Sequence, residues 1–216
     1  MNKTKLIDLD NGNKIYQLDK GFKLSTDTVE LSHFINIDNP SKVLEIGTGN
    51  GIIPILLNKN NIEEFDAVEI QKENIEIAEK NFKLNNLSDK FRLINSDIRK
   101  YKKSNYYDII ISNPPFMTVD GKPVNKDINK YISRHEYYLN LEEFISNSKR
   151  LLKPVGKIFF VHRLHRLEEI IVMLNKYNFS LSKIRFLTKN CNYINIVLFE
   201  AYKGKNTKLK IEHKEV

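Results

Sequence analysis

Two short stretches of the sequence carry residue types whose spacing can do chemistry. The first is Glu45-Ile46-Gly47-Thr48-Gly49-Asn50-Gly51, which holds three of the chain's eight glycines. Glycines let a chain turn sharply and let a ligand approach the backbone closely. A helix starting just behind them points its N-terminus at the loop, an arrangement that favours an anionic group. The spacing is G-x-G-x-G with an acid two residues before the first glycine. It departs from the G-x-G-x-x-G dinucleotide fingerprint, which speaks against a nicotinamide dehydrogenase. Glu69 follows Gly47 by 22 residues, at the end of the next apolar run. An acid there can accept hydrogen bonds from ribose hydroxyls. Asp97, in Asn95-Ser96-Asp97-Ile98, follows a third apolar run and lines the same crevice.

The second stretch is Ser112-Asn113-Pro114-Pro115-Phe116, directly after the apolar run 107–112. Two consecutive prolines have no backbone donors and fix their φ angles. The residue before a proline is held extended. The Asn113 side chain and the neighbouring carbonyls are therefore offered as acceptors beside an aromatic face. That combination suits a planar group bearing an NH2.

These residues need a scaffold, and the apolar pattern supplies one. Residues 1–24 read as two short strands joined by turns, with a helix after the caps of Ser25-Thr26-Asp27-Thr28. Strands follow at 43–46, 65–70, 91–95, 107–112 and 157–161. Helices are expected at 52–57, 71–84, 139–152 and 164–177. Two more strands, 181–187 and 193–202, have no helix between them and pair as a hairpin. Repeated β-α units imply an α/β fold with a mostly parallel sheet, here seven-stranded, with one antiparallel strand from the C-terminal hairpin. No internal repeat or linker is visible. The expectation is a single domain over 1–216: N-terminal strands and helix over 1–40, a core over 41–203, and a frayed basic tail over 204–216.

Composition narrows the class. The chain has 216 residues, 41% hydrophobic and 29% charged, ordinary values for a globular protein. No apolar run approaches the roughly 20 residues that span a bilayer. The N-terminus carries no stretch of signal-peptide type. One cysteine, Cys191, excludes an intrachain disulfide and a cysteine-based zinc site. A soluble, cytoplasmic, metal-free protein is expected. The net charge is +8, which suits a polyanionic partner. Yet 28 of the 35 basic residues are lysine, and Asn and Ile are inflated too, a sign of compositional bias. The basic residues that could meet the phosphates of such a partner are Lys102, Lys103, Arg134, Arg163 and Arg166, with lysines 203, 205, 208 and 210 of the tail. His162 and His165 lack acidic or cysteine partners in sequence and read as structural or RNA-facing. The long loop 117–137 starts immediately after Phe116, and a loop of that length there is expected to shape the substrate pocket.

Taken together, Glu45-x-Gly47-x-Gly49-x-Gly51, Glu69, Asp97 and Asn113-Pro114-Pro115-Phe116 resemble the motif series of class I S-adenosylmethionine (SAM) methyltransferases acting on amino nitrogens, a Rossmann-like family. The flanking segments Gly21 to Asp27, Val68 to Gln71, Arg134-His135-Glu136 and Val161 to Leu167 are more particular. They resemble the bacterial tRNA adenine-N6 methyltransferases that modify valine tRNA beside the anticodon. The resemblance runs from about Asp19 to Lys203. It implies SAM as cofactor and tRNA as partner; a monomer is expected. The glycine loop would hold the methionine end of SAM, with Glu45 near its amino group. Glu69 and the adjacent Ile70 would lie at the ribose, Asp97 and Ile98 at the adenine. Asn113 and the Pro114 carbonyl would accept hydrogen bonds from the target amino group, Phe116 would stack on the target base, and Ser25 to Asp27 would close over the cofactor. The same element serves other NH2 groups, guanine N2 in ribosomal RNA or a release-factor glutamine. A non-catalytic RNA-binding module would not need Asn113-Pro114-Pro115-Phe116.

Overall fold

The computed structural model describes residues 4–9, 12–18, 24–58, 61–87, 89–114, 139–189 and 193–216. Pro115, Phe116, the loop 117–137 with Arg134, and Cys191 lie outside the described residues.

The chain opens with the hairpin β1 (Thr4–Asp8) and β2 (Lys14–Leu18), then helix α1 (Thr26–Phe34). The β-α alternation follows as β3 (Ser41–Ile46), α2 (Ile52–Leu56), β4 (Ile62–Glu69), α3 (Lys72–Leu84), β5 (Phe91–Asn95) and β6 (Tyr107–Ser112). After the undescribed stretch come α4 (Leu141–Leu151), β7 (Leu152–Arg163), α5 (Leu167–Lys176), β8 (Phe179–Lys189), β9 (Tyr193–Lys203) and β10 (Lys210–Glu215). The large sheet has the order β10-β8-β9-β7-β6-β3-β4-β5. Strand β9 is antiparallel to both neighbours, and every other pair in this sheet is parallel. The seven strands read from the sequence are present, with the single antiparallel strand in the C-terminal hairpin.

The apolar runs explain this arrangement. Val43-Leu44, Ile109-Ile110-Ile111 and Ile158-Phe159-Phe160-Val161 are buried without interruption. Such runs fit parallel strands covered by helices on both faces. One face packs under α1, α2 and α3 through Leu31, Phe34, Ile53 and Phe82. The other packs under α4 and α5 through Phe144, Ile145, Ile170 and Leu174. Asn140 and Glu143 close a capping box at the start of α4. The β1-β2 hairpin docks on α3 through Asn81, whose amide bonds both backbone groups of Tyr16 and reaches the Asn50 carbonyl of the glycine loop at 2.9 Å.

One expectation is corrected here. The tail after Lys203 is not frayed throughout: Lys210–Glu215 adds an eighth strand, parallel to β8. Its ties are the backbone ladder and the ion pairs Arg185–Glu212 and Lys214–Glu30, both at 2.7 Å. No helix among the described residues is long and apolar enough to cross a membrane.

The chain runs from β3 outward through β4 to β5, then returns to place β6 on the other side of β3. That switch opens a crevice at the C-terminal ends of the parallel strands, where α/β sheets bind ligands. The glycine loop, Glu69, Asp97 and Asn113 all follow or end those strands.

Candidate active site

The glycine loop is built by three left-handed residues. Gly47, Gly49 and Gly51 have φ of 78°, 56° and 74°. A Cβ on Gly47 would meet nothing within 4 Å, so open space lies beside its bare backbone. A Cβ on Gly51 would lie 2.7 Å from the Phe82 ring and 3.2 Å from Ala78, so that glycine is required for α3 to pack on the loop. The loop is pinned to β4 by the Gly47 and Thr48 amides, which both donate to the Val68 carbonyl.

Two buried acids stand at the crevice floor. Glu45 is the penultimate residue of β3, and its Oε2 accepts from the Thr48 hydroxyl at 2.5 Å. Glu69 ends β4, and its carboxylate accepts from the Gly49 amide at 2.9 Å and the Gln71 amide at 2.8 Å. Burial pushes the Glu45 carboxyl up to about 8; the Thr48 bond opposes this and the Glu69 charge adds to it. Burial also raises Glu69, against the backbone amides of Gln71 and Gly49. The buried Glu45 carboxyl suits a cationic group, and Glu69, already an acceptor of backbone amides at the end of β4, suits hydroxyl donors. SAM carries an ammonium and a sulfonium, so the residues present fit the group that the motifs imply. Ile70 is half-buried beside Glu69.

Asn113 stands at the end of β6. Ser112 fixes that end by donating from its hydroxyl to the Ile46 carbonyl at 2.8 Å. The Asn113 amide nitrogen donates to the Thr28 hydroxyl of α1 at 2.9 Å. Pro114 is buried. Ser25 caps α1 by accepting from the Thr28 amide, and Asp27 is buried in the same first turn. Burial raises the Asp27 carboxyl, with the Arg163 charge at the end of β7 opposing. The structure thus brings Ser25, Asp27, Asn113 and Arg163 to one side of the crevice.

The third loop places Asp97 after β5, at the same edge of the sheet. Asp97 caps the short 3-10 turn Ile98–Lys100, and its carboxylate is already gripped by the Arg99 guanidinium, at 2.7 Å from Nη2. Those Arg99 hydrogen bonds hold Asp97 below the usual carboxylate range. Ile98 is buried within the α4 face of the core.

The structure uses two of the basic candidates otherwise than expected. The Lys103 ammonium lies 2.8 Å from both Glu64 and Asp66, over the Tyr106 ring. Arg166 is buried, pairs with Glu169 at 2.6 Å, and lies 3.5 Å from the imidazole of the buried His162. Both cations are held by acids of their own fold. Lys102 is exposed. Among the described residues no group of three or more His, Cys, Asp or Glu is placed to hold a metal. Sequence reasoning missed Thr48 and Thr28. Thr48 had a signal, its place three residues after Glu45 inside the glycine loop; Thr28 read only as part of a cap.

The fold and this crevice define a class I SAM-dependent methyltransferase. The family model for the methyltransferase small domain matches residues 16–193. A relative from Tolumonas auensis, named tRNA1(Val) (adenine(37)-N6)-methyltransferase, is 30% identical over 82% of this chain and 74% of its own length. One of the same name from Dyadobacter fermentans is 33% identical over 62% of this chain and 56% of its own length. This chain belongs to that family of methyltransferases. In fold it is similar to a predicted O-methyltransferase from Agrobacterium tumefaciens, with a TM-score of 0.69 at 17% identity over 88% of this chain and 87% of the other. It is also similar to the tRNA m1G37 methyltransferase of M. jannaschii, with a TM-score of 0.68 at 18% identity over 94% of this chain and 57% of the other.

Proposed function

We propose that this protein methylates the exocyclic N6 of an adenine in tRNA, at position 37 of valine tRNA as its relatives' names specify. The observation that carries the reading is Asn113, an acceptor held at the switch point between β3 and β6. It shares the crevice with a glycine loop and two buried acids, Glu45 and Glu69.

When bound, SAM supplies an electrophilic methyl on a sulfonium. The chain's own part is to hold the two reacting groups. Glu45 and Glu69 take the positive and hydroxyl ends of the cofactor, and the bare Gly47 backbone lets it lie close. Asn113 Oδ1 and the Pro114 carbonyl accept the two protons of the target amine. An adenine amine is a poor nucleophile because its lone pair is delocalised into the ring. Two acceptors in tetrahedral directions favour the sp3-like nitrogen of the transition state. Alignment for in-line attack supplies much of the remaining acceleration. After transfer the methylated nitrogen is cationic and strongly acidic, and it gives its surplus proton directly to water. Phe116, three residues after Asn113 in sequence, is the base-stacking residue of this reading once the base is turned out of the loop. Lys102 and Arg163 are the phosphate contacts of this reading; Arg134 is a further one.

The test is methyl transfer from labelled SAM to unmodified tRNA, with ribosomal RNA and release factor as parallel acceptors, followed by nucleoside and peptide analysis. The reading expects N6-methyladenosine in tRNA. N2-methylguanosine in ribosomal RNA, methylglutamine in protein, or SAM binding without transfer to any acceptor overturns it.

A further inference from the structure

We propose that the Thr28 hydroxyl is a positioning group for the transfer step, fixing which end of the Asn113 amide faces the substrate amine. The inference deepens the function proposed above and rests on it. Thr28 lies in the first turn of α1, is 2% exposed, and sits 85 residues from Asn113 in sequence. The cap of α1 does not require its hydroxyl, since the Ser25 side chain accepts from the Thr28 backbone amide. That hydroxyl is instead spent on a relay. Thr28 Oγ1 is 3.2 Å from Ser25 Oγ and 2.9 Å from Asn113 Nδ2.

Either of the two hydroxyls can donate to the other. A hydroxyl has one proton to donate and lone pairs to accept with, and an amide nitrogen only donates. Thr28 Oγ1 therefore accepts from Asn113 Nδ2 with a lone pair. An amide is polar end to end, and its terminal torsion is broad and roughly two-fold. Binding the nitrogen end at Thr28 therefore aims the oxygen end away from α1, as an acceptor. A reversed amide would present NH2 to the NH2 of the substrate, donor against donor. The helix that precedes the β-α core thus takes part in orienting the reacting group at the end of β6.

The experiment compares Thr28→Val, which keeps the shape and removes the hydroxyl, with Thr28→Ser, which keeps the hydroxyl. The readouts are kcat and KM for methyl transfer to unmodified tRNA, SAM affinity by calorimetry, and the urea midpoint. The expected result is a kcat loss of about ten- to hundredfold in Thr28→Val, from a misaligned acceptor and an amide nitrogen left without its bond. SAM affinity and the KM for tRNA stay unchanged, and Thr28→Ser restores kcat. In an Asn113→Ala background, measured by single-turnover transfer, Thr28→Val causes no further loss.

The proposal is overturned if Thr28→Val transfers methyl as fast as the wild type, in which case the methylation reading still stands. It is equally overturned if Thr28→Ser is as slow as Thr28→Val, if SAM affinity falls in step with kcat, or if the full loss persists without the Asn113 side chain. Should the wild type methylate another amine, the adenine reading fails. The same four-variant cycle run on that amine then decides the role of Thr28.

Discussion

Gly51 and Gly47 share a left-handed backbone and sit four residues apart, yet the structure assigns them different duties that two alanine substitutions separate. Alanine at either position carries the cost of the left-handed conformation, about 1–2 kcal/mol. At Gly47 nothing else is added, because the new Cβ meets open space. At Gly51 the Cβ would arrive 2.7 Å from a ring carbon of Phe82. That ring cannot simply turn aside, since it is buried and packs edge-on against Phe91. Overpacking of this kind costs about 1–3 kcal/mol more, giving about 2–5 kcal/mol for Gly51→Ala. For a chain of this size each kcal/mol shifts the melting temperature by about 2–4 °C. The assay is urea unfolding of the ligand-free protein, together with calorimetric SAM titration. Gly51→Ala is expected to lose the greater stability. Gly47→Ala is expected to stay nearer the wild type in urea while losing SAM affinity, because its methyl occupies the face of the loop that the cofactor approaches. Equal destabilisation by both variants, or unchanged SAM affinity in Gly47→Ala, refutes this division of labour.

Further outcomes follow from the charges. Glu45 is pushed up to about 8 in the folded protein and titrates in the ordinary carboxylate range when unfolded. Between those values the folded state holds the extra proton, so ligand-free stability falls as pH rises from about 5 to about 8. Glu69, shifted in the same direction, adds to this slope; urea midpoints across that range should fall less steeply in Glu45→Gln, and an identical slope contradicts the assignment. Asp66 is fully buried and anchors Arg92, Lys103, Tyr101 and Tyr107. Asp66→Asn should cost about 2–4 kcal/mol in urea, less than a fully buried pair because Arg92 keeps half its side chain in solvent, and leave SAM affinity intact. Lys102→Ala should weaken tRNA binding and flatten its salt dependence by about one ion, whereas Lys103→Ala should act on stability and leave the salt slope alone.

The parts that were legible in the sequence are those written in local pattern. Uninterrupted apolar runs such as 109–111 mark covered parallel strands, the glycine spacing marks the loop, and the absence of a helix between 187 and 193 marks the hairpin. The parts that were not legible depend on partners far away in the chain. Lys103 looks like one cation in a basic run until β4 brings Glu64 and Asp66 to it from 39 and 37 residues away. Arg166 looks free until helix α5 turns Glu169 back on it. Strand β10, Lys-Ile-Glu-His-Lys-Glu, has one apolar residue, Ile211, which is itself exposed, so no apolar pattern announces it. Its place is set by backbone pairing and by a lysine meeting Glu30 across 184 residues. Asp97 kept the position that its motif implies, but its neighbour Arg99 competes for the carboxylate. Thr28 carried no signal beyond its place in a cap, and only the fold sets it against Asn113.

The most direct test of the account is the Asn113→Ala variant, measured for single-turnover methyl transfer to unmodified tRNA and for SAM affinity in the same preparation. Loss of a preorganised acceptor at the reacting nitrogen predicts a fall in turnover of about 10²–10³-fold with SAM affinity preserved. Normal turnover, or an equal loss of turnover and SAM affinity, contradicts the central claim that Asn113 acts on the amine in the transition state.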